Sequence, residues 1–300
     1  MLPMLTRRMF GKVMAGAMVL PAGIVEGQAA PRGTGLVASQ FSVMMWTLKS
    51  HGTFEENLQQ VAAAGYSYVE LTGEFNKWSE DDWRRISRRM QALRLSVDAT
   101  SGIKQGFADP AGCGAFIAEL KAMLPVVKRL ECRQIILLSG KRLEGVASGA
   151  QHKASIEALK RAADVLGTAD IAAVIEPIDT LENPTIYLNG VAEAFEIVRA
   201  VGSANVKVLY DLYHEQREHG NLIEKLEKNI QYTGLVHIAD VPGRHAPGTG
   251  EINYENIYRK LVQLNYNRMV AMEFIPLHDG VAELRSAREQ VQRVTAAARS

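Results

Sequence analysis

From residue 40 onward, short apolar runs alternate with longer stretches in which apolar residues recur at helical spacing. Runs of four to seven residues at Gln40–Trp46, Tyr68–Leu71, Leu95–Thr100, Gln134–Leu138, Ala172–Glu176, Lys207–Tyr210, Leu235–Ala239 and Met269–Phe274 have the length and composition of strands. Between them, Thr53–Ala64, Glu80–Leu93, Ala115–Leu130, His152–Leu166, Val191–Ala200, Leu222–Ile230, Tyr254–Leu264 and Ala282–Ala297 carry the helical period. Strictly alternating strands and helices place a parallel sheet under a helical layer. Eight of each predict a single-domain α/β fold, a (β/α)8 or TIM barrel, over residues 39–300.

Four of these runs end in, or lead directly into, a side chain that binds metals. They are Val174-Ile175-Glu176, Val208-Leu209-Tyr210-Asp211, Leu235-Val236-His237 and Val270-Ala271-Met272-Glu273, separated by 26 to 36 residues. One βα unit occupies roughly 30 residues, so the four mark consecutive barrel strands. In such barrels the active site lies at the C-terminal ends of the strands, where the βα loops are free to vary. An ionised carboxylate in an apolar strand is costly to bury unless it is paired or bound to a cation. Rim ion pairs for each acid, with His237 satisfied in the core, are the competing explanation, but four successive coincidences favour a common cause. Three carboxylates and one imidazole suit one divalent cation, Mn²⁺, Mg²⁺ or Co²⁺, better than a thiolate-built zinc site.

Composition adds boundaries. At 300 residues and 47% hydrophobic content the chain can bury a large core. The first 29 residues have a different pattern. Thr6-Arg7-Arg8-Met9-Phe10-Gly11-Lys12 precedes an apolar run from Val13 to Val25, and Gly27-Gln28-Ala29 supplies small residues suited to cleavage. This predicts a twin-arginine-type export signal over 1–29, a linker over 30–38 and a periplasmic destination. The apolar run of about 13 residues is shorter than the roughly 20 that span a bilayer, so no stable membrane span is expected. Removing Arg7, Arg8, Lys12 and Glu26 takes away a net +2, which moves the chain from +1 to −1. A near-neutral body lacks the basic field of a nucleic-acid binder. Cys113 and Cys132 bracket a helical stretch of about 18 residues and are read as unpaired.

Longer segments carry a resemblance. Ile175-Glu176-Pro177-Ile178-Asp179-Thr180, Tyr187-Leu188-Asn189, Tyr210-Asp211-Leu212-Tyr213-His214 and the run from His237-Ile238-Ala239-Asp240-Val241-Pro242-Gly243-Arg244 to Gly250-Glu251-Ile252-Asn253-Tyr254 resemble hydroxypyruvate isomerases. More broadly they are similar to the xylose isomerase-like sugar isomerases and epimerases, strongly from Ala172 to Pro276 and only generally before that. The resemblance implies that Glu176, Asp211, His237 and Glu273 hold the metal. Glu176 and Glu273 would double as an acid/base pair on opposite faces of the substrate carbon, and Glu182, His214 and Arg244 would contact substrate. Hydroxypyruvate isomerases usually have Gln where this chain has His237, whereas ketose epimerases have His, so the substrate stays open.

The implied reaction is a metal-dependent aldose–ketose isomerisation through an enediolate. The alternatives are a ketose 3-epimerase, a sugar dehydratase or lyase of the same superfamily, and an exported sugar-binding protein without turnover. Two opposed glutamates argue against binding alone. The expected partner is a small hydroxy-carbonyl compound or sugar. Residue patterns do not fix an oligomeric state, although dimers or tetramers are common among the proteins resembled, so a homo-oligomer is one expectation. Among other features, His214 reads as lying in the loop after its strand and Glu70 as a rim residue that faces the pocket or a salt bridge. Gly248-Thr249-Gly250 reads as a turn with N–H groups that could meet an anion, and Arg84, Arg85, Arg88 and Arg89 as a solvated helix face.

Overall fold

The structure is a computed structural model and describes residues 40–298. The export signal and linker expected over 1–29 and 30–38 lie outside the described residues. Eight parallel strands pair in sequence order and close on themselves. They are β1 (Phe41–Met44), β2 (Tyr68–Leu71), β3 (Ser96–Thr100), β4 (Gln134–Leu138), β5 (Ala172–Glu176), β6 (Val206–Asp211), β7 (Thr233–Ile238) and β8 (Val270–Met272). Outside them lie α1 (Phe54–Ala63), α2 (Glu80–Leu93), α3 (Cys113–Arg129), α4 (Ser148–Gly167), α5 (Val191–Val201), α6 (Leu212–Glu218), α7 (Leu222–Asn229), α8 (Tyr254–Gln263) and α9 (Gly280–Ala297). The expected (β/α)8 barrel is therefore what the chain forms. Among the described residues no helix is long and apolar enough to cross a membrane, and both cysteines are free.

Local chemistry explains where several helices begin. Thr53 caps α1 and Ser79 caps α2, each in a reciprocal capping box with an acid three residues on, Glu56 and Asp82. Asn253 and Asp279 cap α8 and α9 through their side-chain oxygens. The basic cluster on α2 is exposed, with Arg84 and Arg85 paired to Asp81 and Asp82.

Two differences from the sequence reading concern the site. The first strand stops at Met44 and tightens into a 3-10 turn over Met45–Leu48, so Trp46 leaves the strand and turns over the barrel mouth. Thr47 Oγ1 donates to Met44 O at 2.7 Å, giving the chain a local alternative to the ladder. Directly after β6, α6 replaces the expected loop, because Asp211 Oδ1 accepts from the backbone of Tyr213 and His214 and caps a helix. His214 is thus on the first turn of a helix.

Successive strand side chains face opposite ways, one set toward the helices and the other into the barrel. Phe41, Val43, Val69, Ile175, Val208, Tyr210, Val236, Ile238, Val270 and Met272 belong to the large core under the helices. Met44, Ala99, Ile136, Val174, Leu209 and Leu235 form a separate layer inside the barrel. Glu176, Asp211 and His237 each sit two residues beyond an inward apolar residue, Val174, Leu209 and Leu235. They share its face and rise one layer toward the mouth. A one-residue slip would turn each of them into the helical layer.

Candidate active site

At the C-terminal mouth the register sets the depth of each group. Asp211 and His237 are direct partners between β6 and β7. His237 pairs with Ala271 on β8, so Glu273 stands two residues further along, just past the strand end. One ligand atom from each of Glu176, Asp211, His237 and Glu273 lies within 4.8 Å of the others, and all four residues are buried. A cation bound at about 2.0–2.6 Å from each donor spans twice that between opposite donors, so the set fits one divalent ion without backbone movement. The donors also suit it, being three carboxylates and an imidazole whose Nδ1 is 2.6 Å from Glu273 Oε2.

Arg244 joins this set to the outer pocket. Its left-handed backbone (φ 59°) follows Gly243, and its Nη2 lies 2.8 Å from Glu273 Oε2 and 3.3 Å from Asp211 Oδ2. Nη1 donates to both oxygens of Glu182, at 2.8 and 2.9 Å, and lies 3.3 Å from His214 Nε2. Glu182 comes from the β5–α5 loop and is the most exposed of the expected site residues. His214 Nδ1 is 2.6 Å from Asp179 Oδ2, which leaves Nε2 facing Asp211 at 3.6 Å and Glu176 at 3.8 Å. All seven residues expected from the sequence therefore gather in one cluster, five of them lining a single cavity.

Charges separate the two glutamates. Burial, reinforced by the charge of Glu273, pushes the Glu176 carboxyl up to about 7. Burial also works to raise Glu273, but the adjacent Arg244 and His237 charges prevail and hold it well below the usual carboxylate range. Burial lowers the proton affinity of His214, yet the Asp211 charge and the Asp179 hydrogen bond outweigh it and raise its pKa to about 9. Two carboxylates whose environments push them apart are suited to opposite proton-transfer roles.

The cavity has a volume of about 310 Å³ and adds Met44, Trp46, Ile136, Leu138 and Ile178 as an apolar wall, with Thr72 and Ser101 beside it. Trp46 was not anticipated as a site residue: its Nε1 donates to Glu273 Oε1 at 2.9 Å. Its place at the end of the first apolar run was the one available signal. Asp179, three residues past Glu176 in a stretch already singled out, was likewise read as part of a motif and not as the partner of His214. Asp179, Glu182 and His214 also lie close enough to suggest a second cation site. Arg217, 3.3 Å from Asp179 and 3.5 Å from Glu182, and Arg244 already neutralise that cluster.

The loop carrying Arg244 is organised by Asp240. Its carboxylate accepts from the backbone N–H groups of Val241, Gly248, Gly250 and Ile252 at 2.8 to 3.0 Å. The glycine N–H groups that could have met an anion are thus used inside the loop. A Cβ on Gly250 would stand 2.0 Å from Val241 O, so the close approach demands glycine. Asp240→Asn removes the charge and turns an amide toward donors. With about 1–3 kcal/mol at stake for each unsatisfied group and partial access of water, urea unfolding is expected to show a loss of about 2–4 kcal/mol. Unfolding within 0.5 kcal/mol of the wild type would show that the loop holds without this acceptor.

The xylose isomerase-like TIM barrel family profile matches residues 58–293. Hydroxypyruvate isomerase of Escherichia coli K12 is 35% identical over 164 residues, covering 55% of this chain and 64% of that protein. The 2-oxo-tetronate isomerase of Cupriavidus necator is 36% identical over 121 residues, covering 40% of this chain and 46% of that protein. Each match thus spans less than two thirds of its relative. A solved structure described as an AP endonuclease, family 2, from Brucella melitensis superposes with a TM-score of 0.75 at 27% identity, covering 82% of this chain and 96% of that one.

Proposed function

The chain belongs to the xylose isomerase-like TIM barrel family, and from that premise we propose that it is a metal-dependent isomerase of small, unphosphorylated hydroxy-carbonyl compounds. The observation that carries this reading is the convergence of Glu176, Asp211, His237 and Glu273, from four consecutive βα units, within 4.8 Å. Those four residues would hold a divalent cation, which when bound polarises a carbonyl and its neighbouring hydroxyl and acidifies the C–H between them.

The remaining chemistry falls to the protein's own groups. Glu273, paired with Arg244 and held by the Trp46 N–H, is the base that takes the proton from carbon. Glu176, the second glutamate of the set, is the group placed to return a proton. His214, fixed by Asp179 and charged at neutral pH, directs Nε2–H toward oxygen on which negative charge develops in the enediolate. Arg244 and Glu182 together offer donors and acceptors for further hydroxyls. Met44, Ile136, Leu138 and Ile178 close the opposite wall against water. Among the described residues the cavity lining holds one guanidinium, Arg244, and it is already matched by Glu182, Asp211 and Glu273, which supports an unphosphorylated substrate.

Epimerisation is the second reading, and His237 favours it, since the ketose epimerases resembled have His there. Incubating the Mn²⁺-loaded protein in D₂O with a panel of ketoses, aldoses and hydroxypyruvate separates the two. Isomerisation is expected to place deuterium on the carbon that exchanges its role with the carbonyl carbon. Epimerisation places it on an inverted carbon. If no compound in the panel takes up deuterium next to its carbonyl, proton-transfer chemistry is excluded for that substrate class.

A further inference from the structure

The cavity lining divides by strand. In the closed order, β2 and β3 lie across the barrel from β6 and β7, and the chain leaving them brings in two lining residues that the mechanism above leaves idle, Thr72 and Ser101. Glu70 on β2, expected at the rim, is instead fully buried on the inward face, with Oε2 3.0 Å from His237 Nε2. Ala99 on β3 belongs to the apolar layer inside the barrel and is the register partner of Glu70. Thr72 and Ser101 each sit two residues beyond this pair, so they keep its inward face and rise one layer toward the mouth. Leu71 pairs with Thr100 one residue earlier, which makes Thr72 and Ser101 neighbours on the rim.

Serine and threonine often bond back to their own backbone, and Thr100 does so, its Oγ1 donating to Leu71 O at 2.8 Å. Thr72 and Ser101 do not. Thr72 N–H donates to Glu74 Oε2 at 2.7 Å, Ser101 N–H donates to Leu71 O at 2.9 Å and Ser101 O accepts from Thr100 Oγ1 at 3.4 Å, so both residues are held through main-chain atoms. Among the described residues neither hydroxyl has a hydrogen-bond partner. Each offers one donor and two acceptor lone pairs and carries no charge. A carboxylate or phosphate is typically met by the fork of an arginine, but on this side the cavity lining continues as Met44, Ile136 and Leu138. Two adjacent hydroxyls beside an apolar wall suit the O–H groups and C–H faces of a neutral polyhydroxy chain.

We propose that Thr72 and Ser101 form a distal subsite that reads uncharged hydroxyls on the part of the substrate remote from proton transfer, and that the substrate is a ketose or aldose of about five or six carbons, longer than a three-carbon compound. The size of the cavity agrees, since about 310 Å³ is roughly ten times the share of volume of one water molecule and leaves a three-carbon compound surrounded by solvent. A chain whose reacting carbons lie against Glu176 and Glu273 crosses the cavity past Leu138 to meet the two hydroxyls. Binding energy gained at this remote end is available to the reacting end for orientation. The inference rests on the isomerase reading for which end reacts, whereas the hydroxyl pair binds a polyol with or without turnover.

Calorimetric binding of three unreactive probes, xylitol, glycerol and D-glycerate, to the Mn²⁺-treated protein tests the subsite apart from turnover. Wild type is expected to bind xylitol more tightly than glycerol, and the double variant Thr72→Val, Ser101→Ala to lose about 10- to 100-fold for xylitol, the loss of two hydrogen bonds of ordinary net strength. Glycerol and D-glycerate, too short to reach across, are expected to bind both proteins alike. Thr72→Ser, which keeps the hydroxyl, is expected to stay within about threefold of wild type and separates the lost bond from altered packing. Deuterium exchange adds the catalytic reading: kcat/KM should fall in the double variant for five-carbon ketoses and stay unchanged for dihydroxyacetone. Xylitol affinity unchanged in the double variant, no preference of wild type for xylitol over glycerol, or a loss confined to D-glycerate overturns the subsite. A hydroxyl-dependent preference for xylitol in a protein that exchanges no substrate proton leaves the subsite standing and removes the isomerase reading alone.

Discussion

Replacing Glu273 by glutamine is expected to slow carbon–hydrogen exchange with solvent by about 10²–10⁴-fold, the range over which a positioned general base contributes. Glutamine keeps the shape of the side chain and can still accept the Trp46 Nε1–H that now reaches Oε1. What it loses is the capacity to take a proton and the charge that meets Arg244 and His237. Exchange at a deuterated substrate carbon, followed by NMR at saturating Mn²⁺, reads the first loss separately from weaker binding of the ion. Exchange within tenfold of wild type would assign the base elsewhere, with Glu176 the next candidate.

Asp211 is expected to control occupancy by the metal. Elemental analysis of the wild type should find about one divalent ion per chain, and Asp211→Asn should bind it at least about 100-fold more weakly, the upper range for loss of a mere outer partner. Alanine is the wrong substitution for this purpose. Oδ1 of Asp211 accepts from the backbone of Tyr213 and His214 and starts α6, so Asp211→Ala would remove a helix cap and displace His214 as well as remove a ligand. Asparagine keeps an oxygen for the cap, while the atom facing Arg244 loses its charge and becomes an amide donor. Thermal unfolding provides the second reading. Wild type should gain about 2.7 kcal/mol when Mn²⁺ is raised to 100 times its dissociation constant, whereas Asp211→Asn should gain almost nothing at the same concentration. Full occupancy of Asp211→Asn would place the ion elsewhere in the protein.

Alternation of strand and helix was legible because it depends on local periods, and each of the eight strands falls on an apolar run. Its limits appear at Trp46 and His214. Both lie where a side chain competes with regular structure for backbone hydrogen bonds, Thr47 after β1 and Asp211 after β6, and such competition is settled by the neighbouring geometry. The four ligand-type residues were legible for another reason. A charge ending an apolar strand is costly enough to need a shared explanation, and the spacing of βα units placed all four on one rim.

The chain by itself determined the barrel, the rim and the types of side chain gathered there, since these follow from periodicity, the length of a βα unit and the cost of burying charge. Only the tertiary structure decided what surrounds them. Glu70 and His237 are 167 residues apart in sequence and 3.0 Å apart in space, and Trp46 reaches Glu273 across the point where β1 meets β8 and the barrel closes. Whether an acid on an apolar strand looks outward to a salt bridge or inward to an imidazole depends on strand register and barrel closure. Those are set by the packing of all eight strands together, and no local stretch of sequence contains them.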